Sequence, residues 1–144
     1  AMIAGFGAAC RAAEAALATE TPRLAALRAD AEAQLLKIAP EIVIFGKNAP
    51  RLPNTLAFSI LGLSAETALM GFDLAGIALS SGSACSSGKV KRSHVLDAMG
   101  VSSDIAKGAL RLSFGYSSTP DDVIRFASAC EDIIRKMKTR TRAA

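Results

Sequence analysis

Ala109-Leu110-Arg111-Leu112-Ser113-Phe114-Gly115 alternates apolar and polar side chains from Leu110 onward. Side chains of a strand point alternately to its two sides, so Leu110, Leu112 and Phe114 share one face and Arg111 and Ser113 the other. The pattern predicts a strand with one face to bury and an arginine on the opposite one. Moving outward, residues 55–61 repeat the alternation, with Leu56, Phe58 and Ile60 on one side. Ile42-Val43-Ile44-Phe45 is a short β-branched run closed by Gly46, and Ile77-Ala78-Leu79 is a briefer one. Both read as strands.

Helical patterns fill the intervals. Residues 6–19 are Ala-rich and free of proline, which favours helix. Thr21-Pro22 reads as an N-cap followed by proline in the first turn, opening a second helix with Leu24, Leu27, Ala31, Leu35 and Ile38 on one stripe. Ser64 caps a helix to about Leu74, a further helix is expected over about Lys91 to Met99, and Gly100 ends it. Thr119-Pro120-Asp121-Asp122 starts the last helix, whose stripe is Val123, Ala127, Cys130, Ile134 and Met137. Short strands alternating with helices predict a two-layer α/β domain, with helices on one face of the sheet.

Length and composition fit this reading. The chain has 144 residues, 51% of them hydrophobic, so one domain with a substantial core is expected. A net charge of +4 is ordinary for a soluble domain. Three cysteines, Cys10, Cys85 and Cys130, show no metal-ligand spacing, which argues against a disulfide framework or a zinc site and for a reducing compartment. No apolar run approaches the roughly 18 residues of a membrane span, and the expected location is cytoplasmic. The basic tail from Arg135 to Arg142 lacks aromatic partners, so a solvated helix end is preferred over a nucleic-acid surface.

The chemistry concentrates in Ser80-Ser81-Gly82-Ser83-Ala84-Cys85-Ser86-Ser87-Gly88. This run has little apolar surface and many turn-formers, so it reads as a solvent-reachable, mobile loop. Lys89, Lys91, Arg92 and His94 follow. Positive charge near a thiol favours the nucleophilic thiolate. Composition alone leaves open whether Cys85 reacts or merely sits in a linker. Arg111 is either a solvated strand arginine or a fork for a carboxylate. His94, nine positions beyond Cys85, is better read as a surface residue than as a general base, and Cys10 and Cys130 as core or near-core thiols.

Several stretches together resemble the cysteine desulfurases of the nitrogen-fixation and iron–sulfur-cluster type, which belong to the class-V aminotransferase-like group of fold type I pyridoxal phosphate enzymes. The segment Gly76 to Gly88 carries the resemblance most specifically. Arg51-Leu52-Pro53-Asn54-Thr55, Leu69-Met70-Gly71-Phe72-Asp73-Leu74 and Arg111-Leu112-Ser113-Phe114-Gly115 add to it in order, and Gly5-Phe6-Gly7-Ala8-Ala9 is similar to the family's interdomain region. The resemblance implies a small C-terminal domain with a short, mainly antiparallel sheet covered by helices. Residues 1–20 would be an interdomain helix and residues 21–144 the small domain. It implies that Cys85 is the nucleophile that takes sulfur from L-cysteine, leaving alanine and a persulfide. Ser81, Gly82, Ser83, Ala84, Ser86, Ser87 and Gly88 would form its mobile loop, and Arg111 would bind the substrate's α-carboxylate. Pyridoxal phosphate would serve as the electron sink. Its lysine belongs to a larger domain of the family that no segment here resembles, so no cofactor-binding residue is expected in this chain and the chain alone is expected to be inactive. The expected partners are a sulfur-acceptor protein or scaffold and, for the full-length enzyme, a second copy in a homodimer; neither nucleic acid, membrane nor metal is expected. A stand-alone persulfide carrier is the alternative, and a basic nucleic-acid-binding domain a third reading.

Overall fold

The computed structural model describes residues 2–82 and 93–142, the last three by backbone alone. Its elements are α1 (Met2–Ile38), β1 (Val43–Ile44), β2 (Thr55–Ser59), α2 (Ala65–Leu74), β3 (Ser80–Ser81), α3 (His94–Ala98), α4 (Ser103–Ala106), β4 (Ala109–Ser113) and α5 (Pro120–Arg142). The strands form one sheet in the order β1-β2-β4-β3, antiparallel at each junction.

The two alternating stretches are the two central strands. Their registers pair Leu56 with Leu112 and Phe58 with Leu110, which places all four apolar side chains on one face. That face is buried against Leu27, Ala31 and Leu35 of α1, Ala68 and Phe72 of α2, and Val123, Phe126, Cys130 and Ile134 of α5. Phe126 ties the layers together: its ring stacks on Phe72 at 5.6 Å and meets the edge of Phe58 at 5.9 Å. The stripe expected on α5 is therefore the one buried, with Met137 half-buried at its end.

Among the described residues, the opposite face is covered at one end. There Leu96 of α3, Val101, and Ile105 and Ala106 of α4 pack over Val43, Phe45, Ala57 and Ala109. Buried Ser59 donates its hydroxyl to the Ile105 carbonyl at 2.7 Å. The sheet thus carries helices on both faces, where the pattern alone places them on one. The covering pair is short, four and five residues, and shows no helical repeat to read.

Other expectations shift at the ends of elements. Thr21-Pro22 does not start a helix, because α1 runs unbroken through Pro22 and across the expected junction at residue 20. Proline's fixed φ is itself helical, so it removes one hydrogen bond without forcing an end, and Arg23 and Glu20 pair across it at 2.7 Å. The third strand comes later than Ile77-Ala78-Leu79: the Ile77 N–H closes the exit of α2 on the Phe72 carbonyl at 2.9 Å, and the paired residues are Ser80 and Ser81. Ser93 caps α3 through Leu96 N–H, so the described helix begins after the expected Lys91, which lies outside the described residues.

Candidate functional site around Arg111

Arg111 occupies the middle of β4 on the sheet's sparsely covered face, flanked by Ala57 of β2 and Ser80 of β3 in direct register. Thr55 and Ser113 form the next pair on that face. Arg111 is exposed, and its guanidinium has no hydrogen bond or ion pair among the described residues. An arginine set on rigid strand backbone with its donors unused is suited to gripping a carboxylate in bidentate fashion.

The strand beside it leads toward the cysteine. Ser80 faces Arg111, Ser81 faces Leu110, and Gly82 follows with φ +63. That left-handed conformation is easy for glycine and strained for other residues, so glycine suits the end of β3. Ser83, Ala84, Cys85, Ser86, Ser87 and Gly88 lie outside the described residues, as do Lys89, Lys91 and Arg92.

The turn after β4 is held from two sides. Arg23 of α1 donates to the carbonyls of Ser118, Gly115 and Tyr116 at 2.6, 3.1 and 3.1 Å, while its bond to Glu20 holds that carboxyl below its usual range. The Asp122 carboxylate accepts from Thr119 N–H and hydroxyl at 2.9 and 3.1 Å, closing the start of α5. The Thr119 backbone bond is the main reason that Asp122 titrates below the usual carboxylate range. This anchor fixes the end of the strand that carries Arg111. The sequence has no signal for it, because Arg23 lies 92 to 95 residues from its acceptors.

The remaining titratable candidates are placed elsewhere. Cys130 is fully buried, and desolvation pushes its thiol up to about 12, so it is inert at neutral pH. Cys10 is exposed on the first part of α1 instead of near the core. His94 is exposed at the start of α3. Two clefts, of about 330 Å³ between the C-terminal ends of α1 and α5 and about 160 Å³ beside the start of α5, do not include Arg111. Among the described residues nothing closes the face around Arg111 into a pocket.

Among the described residues no group of His, Cys, Asp and Glu could hold a metal ion. A pyridoxal phosphate seat would need a desolvated lysine able to lose its proton. Lys37, Lys47, Lys107, Lys136 and Lys138 are all exposed, with Lys107 and Lys138 in surface pairs with Asp104 and Glu41. The described residues do not fit that cofactor.

Residues 1–126 match the family model of the class-V aminotransferases. The chain belongs to that family. Over 137 residues it is 34% identical to the cysteine desulfurase IscS of Dictyoglomus turgidum, covering 95% of this chain and 35% of the relative. Over 136 residues it is 39% identical to a cysteine desulfurase of Gluconacetobacter diazotrophicus, covering 94% and 34%. The chain therefore spans about a third of the length of the curated relatives it matches. A NifS-like protein from Rickettsia africae superposes with a TM-score of 0.71 at 34% identity, over 83% of this chain and 30% of that one. The family is one of pyridoxal phosphate enzymes, and the small antiparallel α/β architecture expected from the sequence is the one found. No helix among the described residues is long and apolar enough to cross a membrane.

Proposed function

We propose that this chain is the small C-terminal domain of a cytoplasmic cysteine desulfurase, with residues 1–20 as the helix joining it to the cofactor-bearing part of the enzyme. Cys85 is its sulfur-accepting nucleophile and Arg111 its clamp for the α-carboxylate of L-cysteine. The observation that carries this reading is the register of β3 on β4: Ser80 lies directly opposite Arg111, five residues before Cys85. A chain of five residues spans at most about 17 Å, so the thiol is tethered within reach of a substrate held by that arginine.

In this reading the Cys85 thiolate attacks the substrate's sulfur. A sulfur–sulfur bond forms as the carbon–sulfur bond breaks; the electron pair of that bond stays with the carbon skeleton, which takes up a proton and leaves as alanine. Pyridoxal phosphate, bound elsewhere in the full-length enzyme, supplies the electron sink. Ser and Gly around Cys85 suit an arm that first reaches the substrate and then delivers the persulfide sulfur to an acceptor protein for iron–sulfur clusters or thiolation. The exposure of Met2 and Ile3, both at 90%, and of Phe6 at 74% supports a helix that leaves the domain to meet other protein.

The test is Cys85→Ala in the full-length enzyme. Persulfide on the protein and sulfur transfer are expected to vanish while the bound cofactor's absorbance is retained. Sulfur transfer at the normal rate by that variant would end the assignment.

A further inference from the structure

A cleft of about 160 Å³ opens where the ladder between β3 and β4 stops. The two strands pair at Ser80–Arg111 and Ser81–Leu110, and the same register carried one step further would set Ala78 against Ser113. That pair is not made. Both residues line the cleft instead, and the peptide groups of Ala78 are unbonded among the described residues. Free peptide groups at a strand edge are ready donors and acceptors.

The lining divides by chemistry. Ile77, Leu112, Phe114 and Phe126 give it an apolar floor, the last three of them buried. Ser118, Asp122 and Arg125 stand on the side of α5. Asp122 spends Oδ2 on the N–H and hydroxyl of Thr119, while Oδ1 lies 3.7 Å from Arg125 Nη1. That is an ion pair too long for a hydrogen bond, so Oδ1 and the guanidinium both keep their bonding capacity. Arg125 Nη2 reaches across to Gly76, 3.9 Å from where a Cβ would stand, which brings the cation to the opposite wall. Ser118 Oγ accepts from Gly115 N–H, and its own proton meets no acceptor among the described residues.

One cleft therefore offers an acceptor for an ammonium, a cation for a carboxylate and an apolar floor. We propose that it seats the zwitterion of a small aliphatic α-amino acid, its carboxylate on Arg125, its ammonium on Asp122 Oδ1 and its side chain over Leu112 and Phe114. A volume of about 160 Å³ equals that of about five waters, and a molecule of about six heavy atoms, such as L-alanine, is of that size. A lone carboxylate would also face Asp122 and a lone amine Arg125, so a zwitterion fits this pair better than either single charge. Leu112 and Phe114 share the face of β4 opposite Arg111, so the seat is separate from the proposed substrate clamp and does not rest on it.

The test is an NMR titration of the 15N-labelled chain, read at the amide signals of Ala78, Ser113 and Ser118. L-alanine, N-acetyl-L-alanine and L-alaninamide are added separately at constant pH and ionic strength. Saturable shifts with L-alanine are expected, with the signal of Ala33 on α1 unmoved. N-acetyl-L-alanine lacks the ammonium and L-alaninamide the carboxylate, and each should bind about tenfold more weakly. Arg125→Gln, at an exposed position, should weaken L-alanine about tenfold and leave L-alaninamide as in the wild type. No saturable shift with L-alanine, blocked analogues that bind as well, or an unchanged L-alanine titration by Arg125→Gln would overturn the proposal.

Discussion

The two faces of the sheet are built from the same strands and treated oppositely. On one, Leu56, Phe58, Leu110 and Leu112 are buried at 6% exposure or less under three helices. On the other, α3 and α4 cover only the end around Phe45, Ala57 and Ala109, and Arg111, Ser113 and Ser80 stay exposed. The first face holds the domain together by removing apolar surface from water. The second holds at a defined place an arginine that is unpaired among the described residues, and adds little to stability by doing so. Within one strand, therefore, adjacent residues sit in opposite surroundings, and substitution should separate stability from the role proposed for Arg111.

The largest effect should come from the buried face. Phe58→Ala removes a ring that meets Phe126 and should cost about 3–5 kcal/mol in urea unfolding. That is much of the roughly 5–15 kcal/mol typical of a domain. A cost below 1 kcal/mol would break the contrast between the faces.

Cys130, on the same side of the sheet, sharpens the contrast through pH. Its thiol keeps its proton to about pH 12 when folded, against an ordinary value of 9.0, so the raised value leaves stability intact below pH 9. Above that the unfolded chain loses a proton the folded one retains, and stability should fall by up to about 1.4 kcal/mol per pH unit until pH 12. Urea midpoints measured across this range should fall less steeply for Cys130→Ala; identical slopes would remove the buried thiol from the account.

The covered end of the other face should give an intermediate effect. A Cβ on Gly108 would stand 2.7 Å from both the Leu63 carbonyl oxygen and Ser59 Oγ, so Gly108→Ala must move backbone. The expected loss is about 1–3 kcal/mol in the same unfolding assay. The smallest change in stability belongs to the open end, where Arg111→Ala should shift it by no more than about 0.5 kcal/mol. In the full-length enzyme the same variant should lose capture of L-cysteine, because a charge-assisted fork is gone. Unchanged kcat and KM would return Arg111 to the role of a solvated strand residue.

Much of this division was legible in advance. Strict alternation at residues 109–115 and 55–61 reported both the buried face and the side from which Arg111 projects, because strand side chains have a period of two. The stripe from Val123 to Met137 was legible for the corresponding helical reason. The passage of α1 through Pro22 was not, since a Thr-Pro pair marks a helix start as readily as it occupies a helix interior. Nor was the place of β3, which depends on backbone partners in β4, far along the chain.

The sequence by itself determined the two central strands and most helices, their inward faces, and the peptide that makes Cys85 a candidate, because these rest on local periodicity and residue chemistry. Only the tertiary structure decided which strands are neighbours, and hence that Ser80 stands opposite Arg111. It alone sealed Cys130, anchored the β4–α5 turn with Arg23, and set Ala78 and Arg125 on one cleft. Those outcomes depend on contacts between residues far apart in the chain, and such contacts exist only once the layers have packed.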